Sequence, residues 1–317
     1  MLQYLIILLD DTSTSYCHYE NTISQRNLIP IQTLRNGILY GMKENLIIQF
    51  VYPDYELPQK YKDIIETIDH KKIVSTLCED TVLKAKADVV VFHEWTRLDY
   101  YTFDMDKVYA LRTSKADFFY HYQFLKNVLG KVKRLNIILT DIDKFTVEDI
   151  SKYKQVMAYL VNDLVELFKK GQIPQLNILT DRLMLNMMNN CNAGWESITL
   201  APNGKFYVCP AFYCDNDFSI GSLVEGLDIK NPQLYRLDHA PICRHCDAFQ
   251  CHRCIWLNKK LTLEVNTPSR EQCVVAHIER NASRDILNKC CNLGDFLPNK
   301  EIPEINYLDP FDKKEDW

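Results

Sequence analysis

The sequence predicts an α/β fold: a largely parallel sheet, open or partly closed as a (β/α) barrel, followed by a small cysteine-rich metal-binding domain. Three observations predict it. Short, unbroken apolar runs alternate with helical patterns through the first part of the chain. Seven of the 12 cysteines then fall in one ordered pattern towards the C-terminus. The 317 residues, at 47% hydrophobic composition, suffice for a large core and about two domains.

The strands come from the apolar runs Tyr4–Leu9, Leu46–Val51, Lys72–Thr76, Asp88–Phe92, Lys107–Arg112, Arg134–Leu139 and Leu176–Leu179, all rich in Ile, Val and Leu. Unbroken rather than alternating runs suit strands covered on both faces, as in parallel sheets. Between them lie helices. Pro30 opens one at its first turn, where a missing N–H costs nothing. Ile31, Leu34, Ile38 and Met42 line one face of it. The clearest helix begins at Thr146, with Asp149 placed for a capping box. Its stripe is Ile150, Tyr153, Met157, Leu160, Val161, Leu164 and Phe168, and Gly171 stops it. Repeated strand–helix units of this kind give a parallel α/β domain.

Around residues 185–190 the composition changes to Met, Asn and then cysteines. The expected division is an α/β domain over 1–185, a cysteine-rich domain over 186–291 and an extended tail over 292–317. Ser197–Leu200 and Phe206–Val208 flank Ala201-Pro202-Asn203-Gly204, a hairpin with Asn-Gly in its turn. It places Cys191 and Cys209 at its two ends.

Charge narrows the function. A net charge of -5 and a pI of 5.9 give no basic field for nucleic acid, and no Lys/Arg run suggests a membrane surface. The N-terminal apolar run covers only Leu5 to Leu9, with no basic residue before it, too short for a signal peptide or a spanning helix. A cytoplasmic location follows as an expectation. Cysteines there stay reduced, so metal ligation is favoured over disulfides.

The cysteine order is Cys191, twelve residues, Gly204, four residues, Cys209, a gap, Cys243-x2-Cys246-x4-Cys251-x2-Cys254, then eighteen residues to Cys273. A Cys-x2-Cys turn lets two sulfurs converge on one metal, and four sulfurs complete a tetrahedral zinc site or the corners of an iron–sulfur cube. Seven or eight thiolates fit two sites, with Cys214 a candidate eighth. Zinc is the alternative, since His239, His245, His252 and His277 fall in the same region. Cys290 and Cys291 are adjacent and read as structural, and Cys78 as a small buried residue.

This order resembles the SPASM domain, the C-terminal extension of radical SAM enzymes that modify ribosomally made peptides and proteins. The family's usual middle spacing is five and three, where this chain has four and two. The resemblance implies two auxiliary 4Fe-4S clusters. Cys191, Cys209 and Cys254 would ligate the first, with Cys214 as fourth ligand or an open position. Cys243, Cys246, Cys251 and Cys273 would ligate the second.

Radical SAM enzymes also carry Cys-x3-Cys-x2-Cys after their first strand and a Gly-Gly-Glu-Pro turn after the second. Here the loop after the first strand reads DDTSTSYCHYEN, so that with Cys17 in third place the first two positions fall on Asp10 and Thr14. After Val51 the chain reads YPDYELP, without glycine. One thiolate with Asp and Thr is a poor ligand set for a soft cluster. Tyr- and Phe-rich stretches at Asp99–Phe103 and Phe118–Tyr122 read as core or helix face rather than as a groove.

The whole chain is most similar to the CXXX repeat peptide maturase family, which resembles radical SAM–SPASM proteins but lacks the N-terminal cluster motif. The resemblance implies a partial (β/α) barrel derived from a radical SAM core, with a SPASM-like domain. It implies a role in maturing a ribosomally made, cysteine-containing precursor peptide, with a radical SAM enzyme as a partner. S-adenosylmethionine is not expected as a cofactor. Catalyst and accessory protein both stay open as roles, and a zinc-stabilised binding scaffold is the alternative.

Overall fold

The computed structural model describes residues 2–184, 191–241, 243–246, 254–290 and 302. Along the chain the elements are β1 (Tyr4–Leu8), α1 (Ile31–Lys43), β2 (Ile47–Val51), α2 (Gln59–Ile65), β3 (Lys71–Ser75), α3 (Thr81–Ala85), β4 (Val89–Phe92), α4 (Thr96–Asp99), β5 (Val108–Thr113), α5 (Lys115–His121), α6 (Leu125–Leu129), β6 (Arg134–Leu139), α7 (Val147–Lys169), β7 (Gln175–Leu176), α8 (Asn177–Met184), β8 (Ser197–Leu200), β9 (Phe206–Tyr207), α9 (Pro210–Cys214), β10 (Gly221–Ser222), β11 (Gly226–Leu227), α10 (Ile255–Thr262) and α11 (Arg270–Cys290). The chain divides into two compact units, each built of two segments: Met1–His93 with Asn192–Arg236, and Glu94–Cys191 with Leu237–Trp317.

In the first unit β1 lies between β2 and β8, parallel to both, and β3 and β4 continue the parallel order beyond β2. The strands are apolar on both faces because both are covered: Leu5, Ile7, Phe50, Val51, Val74, Val90 and Val91 are fully buried. Each such side chain is worth about 1.5–3 kcal/mol on burial. The expected hairpin forms, with β9 antiparallel to β8, and it joins the sheet beside β1. Helix α1 starts after Pro30, as expected, but Met42 is 59% exposed. The buried face holds Leu34, Gly37, Ile38 and Gly41. A Cβ on Gly37 would lie 2.4 Å from Leu200 Cδ2, and one on Gly41 2.8 Å from Ile48 Cδ1. The two glycines let the helix backbone sit against the sheet, and that turns Met42 outward.

In the second unit β5, β6 and β7 are parallel. Helix α7 carries the predicted capping box, with Thr146 accepting from Asp149 N–H and Asp149 from Thr146 N–H. All seven residues of its predicted stripe are buried, and Gly171 follows at φ +75°. The strand expected over Leu176–Leu179 stops after two residues and becomes α8. Side chains cause this. Asn177 Nδ2 donates to Ile137 O and its Oδ1 accepts from Ile137 N–H, taking over the ladder. Thr180 Oγ1 accepts from Leu176 N–H and donates back to Leu176 O, which starts the helical turn. In the aromatic stretches Phe118 and Phe119 are core, whereas Tyr100 and Tyr120 are 91% and 82% exposed. Cys78 is buried as expected, Cys290, read as structural, is buried too, and Cys291 and the tail from 292, except Ile302, lie outside the described residues.

No helix among the described residues is long and apolar enough to cross a membrane.

Candidate functional site

The loop after β1 leaves the carboxyl ends of parallel strands, the edge at which α/β folds bind ligands. It is closed by its own hydrogen bonds. Asp10 is fully buried. Its Oδ1 accepts from Thr12 N–H at 2.8 Å and Thr12 Oγ1 at 2.5 Å, and its Oδ2 accepts from the Tyr55 hydroxyl at 2.8 Å. Ser13 Oγ accepts from Asp10 N–H and donates to Val51 O, and Thr14 N–H donates to Tyr52 O. Thr14 Oγ1 lies 3.0 Å from His93 Nε2. Asn21 Nδ2 ties the loop across itself, donating to Asp11 O and Ser13 O. Asp11 accepts from Asn27 Nδ2 and from the Tyr213 hydroxyl.

Sequence reasoning singles out Asp10, Thr14, Cys17 and the segment after Val51 only for what they lack. The structure joins the two segments: Tyr55, from the turn after β2, bonds Asp10, from the loop after β1. Arg26 stacks over the Tyr55 ring at 4.2 Å. Burial and the Asp10 carboxylate push the Tyr55 phenol above its usual range, so it stays a donor. These residues do not fit a three-thiolate cluster. Two of the three positions are oxygen side chains already engaged by protein partners, and Cys17 is the one thiol of the loop. The partners Tyr55, His93 and Tyr213 escape a reading of the sequence, because nothing local ties them to this loop.

The first unit also has a cavity of about 360 Å³ lined in part by Lys62, Lys72, Glu56, Glu66 and Asp80. These five charges pair with one another, Lys62 with Glu56 and Asp80, and Lys72 with Glu66.

The predicted metal ligands distribute as follows. In the first unit Cys209 is the N-cap of α9 and Cys214 ends the same helix. Burial, and then the carboxylates of Asp215, Asp11 and Glu20, push the Cys214 thiol up to about 12. A bare thiolate there is strongly disfavoured, and a bound cation would reverse that balance. In the second unit Cys191 is exposed, Cys254 is the N-cap of α10 and Cys273 lies in the first turn of α11. Cys243 and Cys246 bracket a 3-10 turn at Cys243–His245, closed by the bond from Cys246 N–H to Cys243 O at 3.0 Å. Such a turn puts positions three apart on one side. Cys251 and His252 lie outside the described residues.

One contact brings two predicted donors together: Cys246 Sγ lies 3.5 Å from His277 Nε2. His277 is 1% exposed on α11, one turn beyond Cys273, so the two share a helix face. Burial, with Arg280 and Arg182 nearby, pushes the imidazole down to about 3, which keeps it neutral. Among the described residues no three His, Cys, Asp or Glu side chains converge as a metal-holding group. The ten described cysteines are thiols rather than cystines. A soft thiol set with a neutral imidazole beside one sulfur fits a thiolate-ligated metal centre in its chemistry.

Helix α11 is held firmly behind this contact. Glu279, fully buried, accepts from Tyr153 of α7 at 2.6 Å and from Arg182 of α8 at 3.0 Å. Arg182 also donates to Ile178 O and Ala276 O, and Ser283 Oγ donates to Leu179 O.

No protein-family model and no curated protein matches the chain. Solved structures do match. The chain is similar to a histidine-tagged form of anSMEcpe with bound AdoMet at a TM-score of 0.59 and 12% identity, over 93% of this chain and 97% of that one. Native anSMEcpe with bound AdoMet matches at 0.57 and 12%, over 91% of this chain and 100% of that one. Native anSMEcpe with bound AdoMet and Cp18Cys peptide matches at 0.55 and 12%, over 92% of this chain and 99% of that one. A likeness at this identity shows the fold: the chain shares the α/β partial-barrel fold of these structures, the fold class expected from its sequence.

Proposed function

We propose that this chain is a maturation protein for a ribosomally made, cysteine-containing peptide of the CXXX repeat kind, and that it holds two auxiliary 4Fe-4S clusters but no S-adenosylmethionine cluster. The observation that carries the reading is a contrast on one fold. The radical SAM-related architecture has oxygen side chains, locked to protein partners, in the loop after β1, and a thiol-rich C-terminal segment. The peptide partner draws support from anSMEcpe, a similar fold that is bound to the Cp18Cys peptide.

In this reading the chain has a SPASM-like domain over 186–291. Cys191, Cys209 and Cys254, with Cys214 or an open position, hold the first cluster, and Cys243, Cys246, Cys251 and Cys273 the second. Bound there, the clusters supply one-electron relay and, at an open position, a soft site for a substrate thiolate. The protein's own part is to bind and orient the precursor and to position the thiols. Radical chemistry comes from a partner radical SAM enzyme, and the reducing cytoplasm keeps the thiols available.

One observation favours a second reading. Histidine suits zinc, and His277 stands beside Cys246, so a zinc-stabilised binding scaffold is the alternative. Anaerobic purification with iron, sulfide and zinc analysis separates the two. About eight irons per chain and a brown colour support the clusters. A colourless protein with stoichiometric zinc sinks electron relay.

A further inference from the structure

We propose that His277 is a positioning residue for the metal centre containing Cys246, donating its Nε2–H to the Cys246 sulfur and thereby raising the reduction potential of that centre. The inference rests on the cluster reading above and deepens it. A donor aimed at a ligating sulfur draws charge off it, which favours the reduced, more negative cluster.

The geometry has three parts. The Sγ···Nε2 distance of 3.5 Å is that of an N–H···S hydrogen bond. The ring is almost fully buried, so the interaction is not diluted by water. Its helix is tied down close by: Glu279, two residues on, accepts from Arg182 and Tyr153, and Ser283 Oγ donates to Leu179 O. A histidine on the same metal as Cys246 would stand at a similar separation: bonds of about 2.3 Å to sulfur and about 2.05 Å to nitrogen give a tetrahedral edge of about 3.6 Å. The donor role follows from ligand number, since Cys243, Cys246, Cys251 and Cys273 already supply four thiolates to this centre in the cluster reading.

The test uses the full chain, purified and reconstituted without oxygen. His277→Phe removes the donor and keeps a ring. Iron and sulfide are counted, and the reduced fraction of each cluster is followed by electron paramagnetic resonance in a potential-controlled titration. The expected result is unchanged iron with the reduced-to-oxidised ratio of one cluster about tenfold lower at a fixed potential, equivalent to about 59 mV for one electron. His277→Gln, which keeps an N–H at similar reach, is expected to retain most of the wild-type ratio. Should the Phe variant not accumulate, His277→Asn, too short to reach the sulfur, carries the same expectation. An unchanged ratio in the Phe or Asn variant overturns the proposal. So does loss of about four irons, which makes His277 a ligand. Wild-type protein that holds zinc and no iron overturns the cluster reading itself and takes the redox role of His277 with it.

Discussion

The loop after β1 and the segment of α11 that carries Cys273 and His277 both hold buried polar side chains, yet they are built on opposite plans. In the loop, hard oxygen groups face one another. The Asp10 carboxylate has three protein donors on its two oxygens, and Thr14 has His93. On α11, a soft thiol from another segment meets an imidazole, with the helix pinned by a buried ion pair. A site is therefore more than its ligand list. The loop has oxygen side chains at positions 10 and 14, and around them a network of hydrogen bonds that reaches to Tyr55, His93 and Tyr213.

The largest effect expected is on the thiol side. Cys246→Ala should lower both bound metal and soluble yield, because thiolate–metal binding of about 10 kcal/mol or more is also folding free energy. Metal analysis beside soluble yield checks it. A variant with full metal content removes Cys246 from the ligand set and erases the contrast with the loop.

Next in size is the clamp behind His277. Arg182 and Glu279 are both fully buried, so Arg182→Met strands a buried carboxylate and should cost about 3–5 kcal/mol. Denaturant unfolding measures this. Arg182→Met with Glu279→Gln should cost less than the single change, because the second substitution removes the stranded charge. If the two changes simply add, the pair does not hold α11 as described.

On the loop side, Asp10→Ala takes the acceptor from Thr12 and Tyr55 together. These bonds are part-buried, so each one lost costs about 1 kcal/mol. A lower melting temperature with unchanged metal content is the expected pair of readings. Metal lost along with stability would show that the loop does support a metal centre.

Much of this is legible in the sequence, for physical reasons. Parallel strands covered on both faces leave continuous apolar runs, and six of the seven expected strands form within a residue or two. The seventh is cut to two residues, because Asn177 and Thr180 act through their side chains on the backbone, which an apolar run does not reveal. Met42 reads as inward because a residue-by-residue stripe gives glycine no weight, yet Gly37 and Gly41 make the closest approach to the sheet. The thiol pattern is readable as spacing, and so, in principle, is His277, four residues after Cys273 on one helix. The partners of Asp10 are not, since a hydrogen bond between Tyr55 and Asp10 spans 45 residues of chain.

The smallest expected effect is the sharpest test of the comparison. Asp10→Cys with Thr14→Cys writes Cys-x3-Cys-x2-Cys into the loop at 10, 14 and 17. If ligand identity alone separates this loop from a cluster site, iron should rise by about four per chain and S-adenosylmethionine should be cleaved on reduction. We expect neither. The backbone of the loop is held by bonds that the substitutions leave in place, including Thr14 N–H to Tyr52 O, Ser13 Oγ to Val51 O and Asn21 across Asp11 and Ser13. The turn after β2 keeps Tyr55 where the family resemblance calls for a glycine turn. Three thiolates must also reach cluster spacing at once, and any backbone shift that this requires works against these bonds, each worth about 1 kcal/mol. Iron analysis of the reconstituted double variant decides the matter. A gain of four irons places the whole difference between the two regions in the ligands, and no gain places it in the hydrogen-bonded loop that carries them.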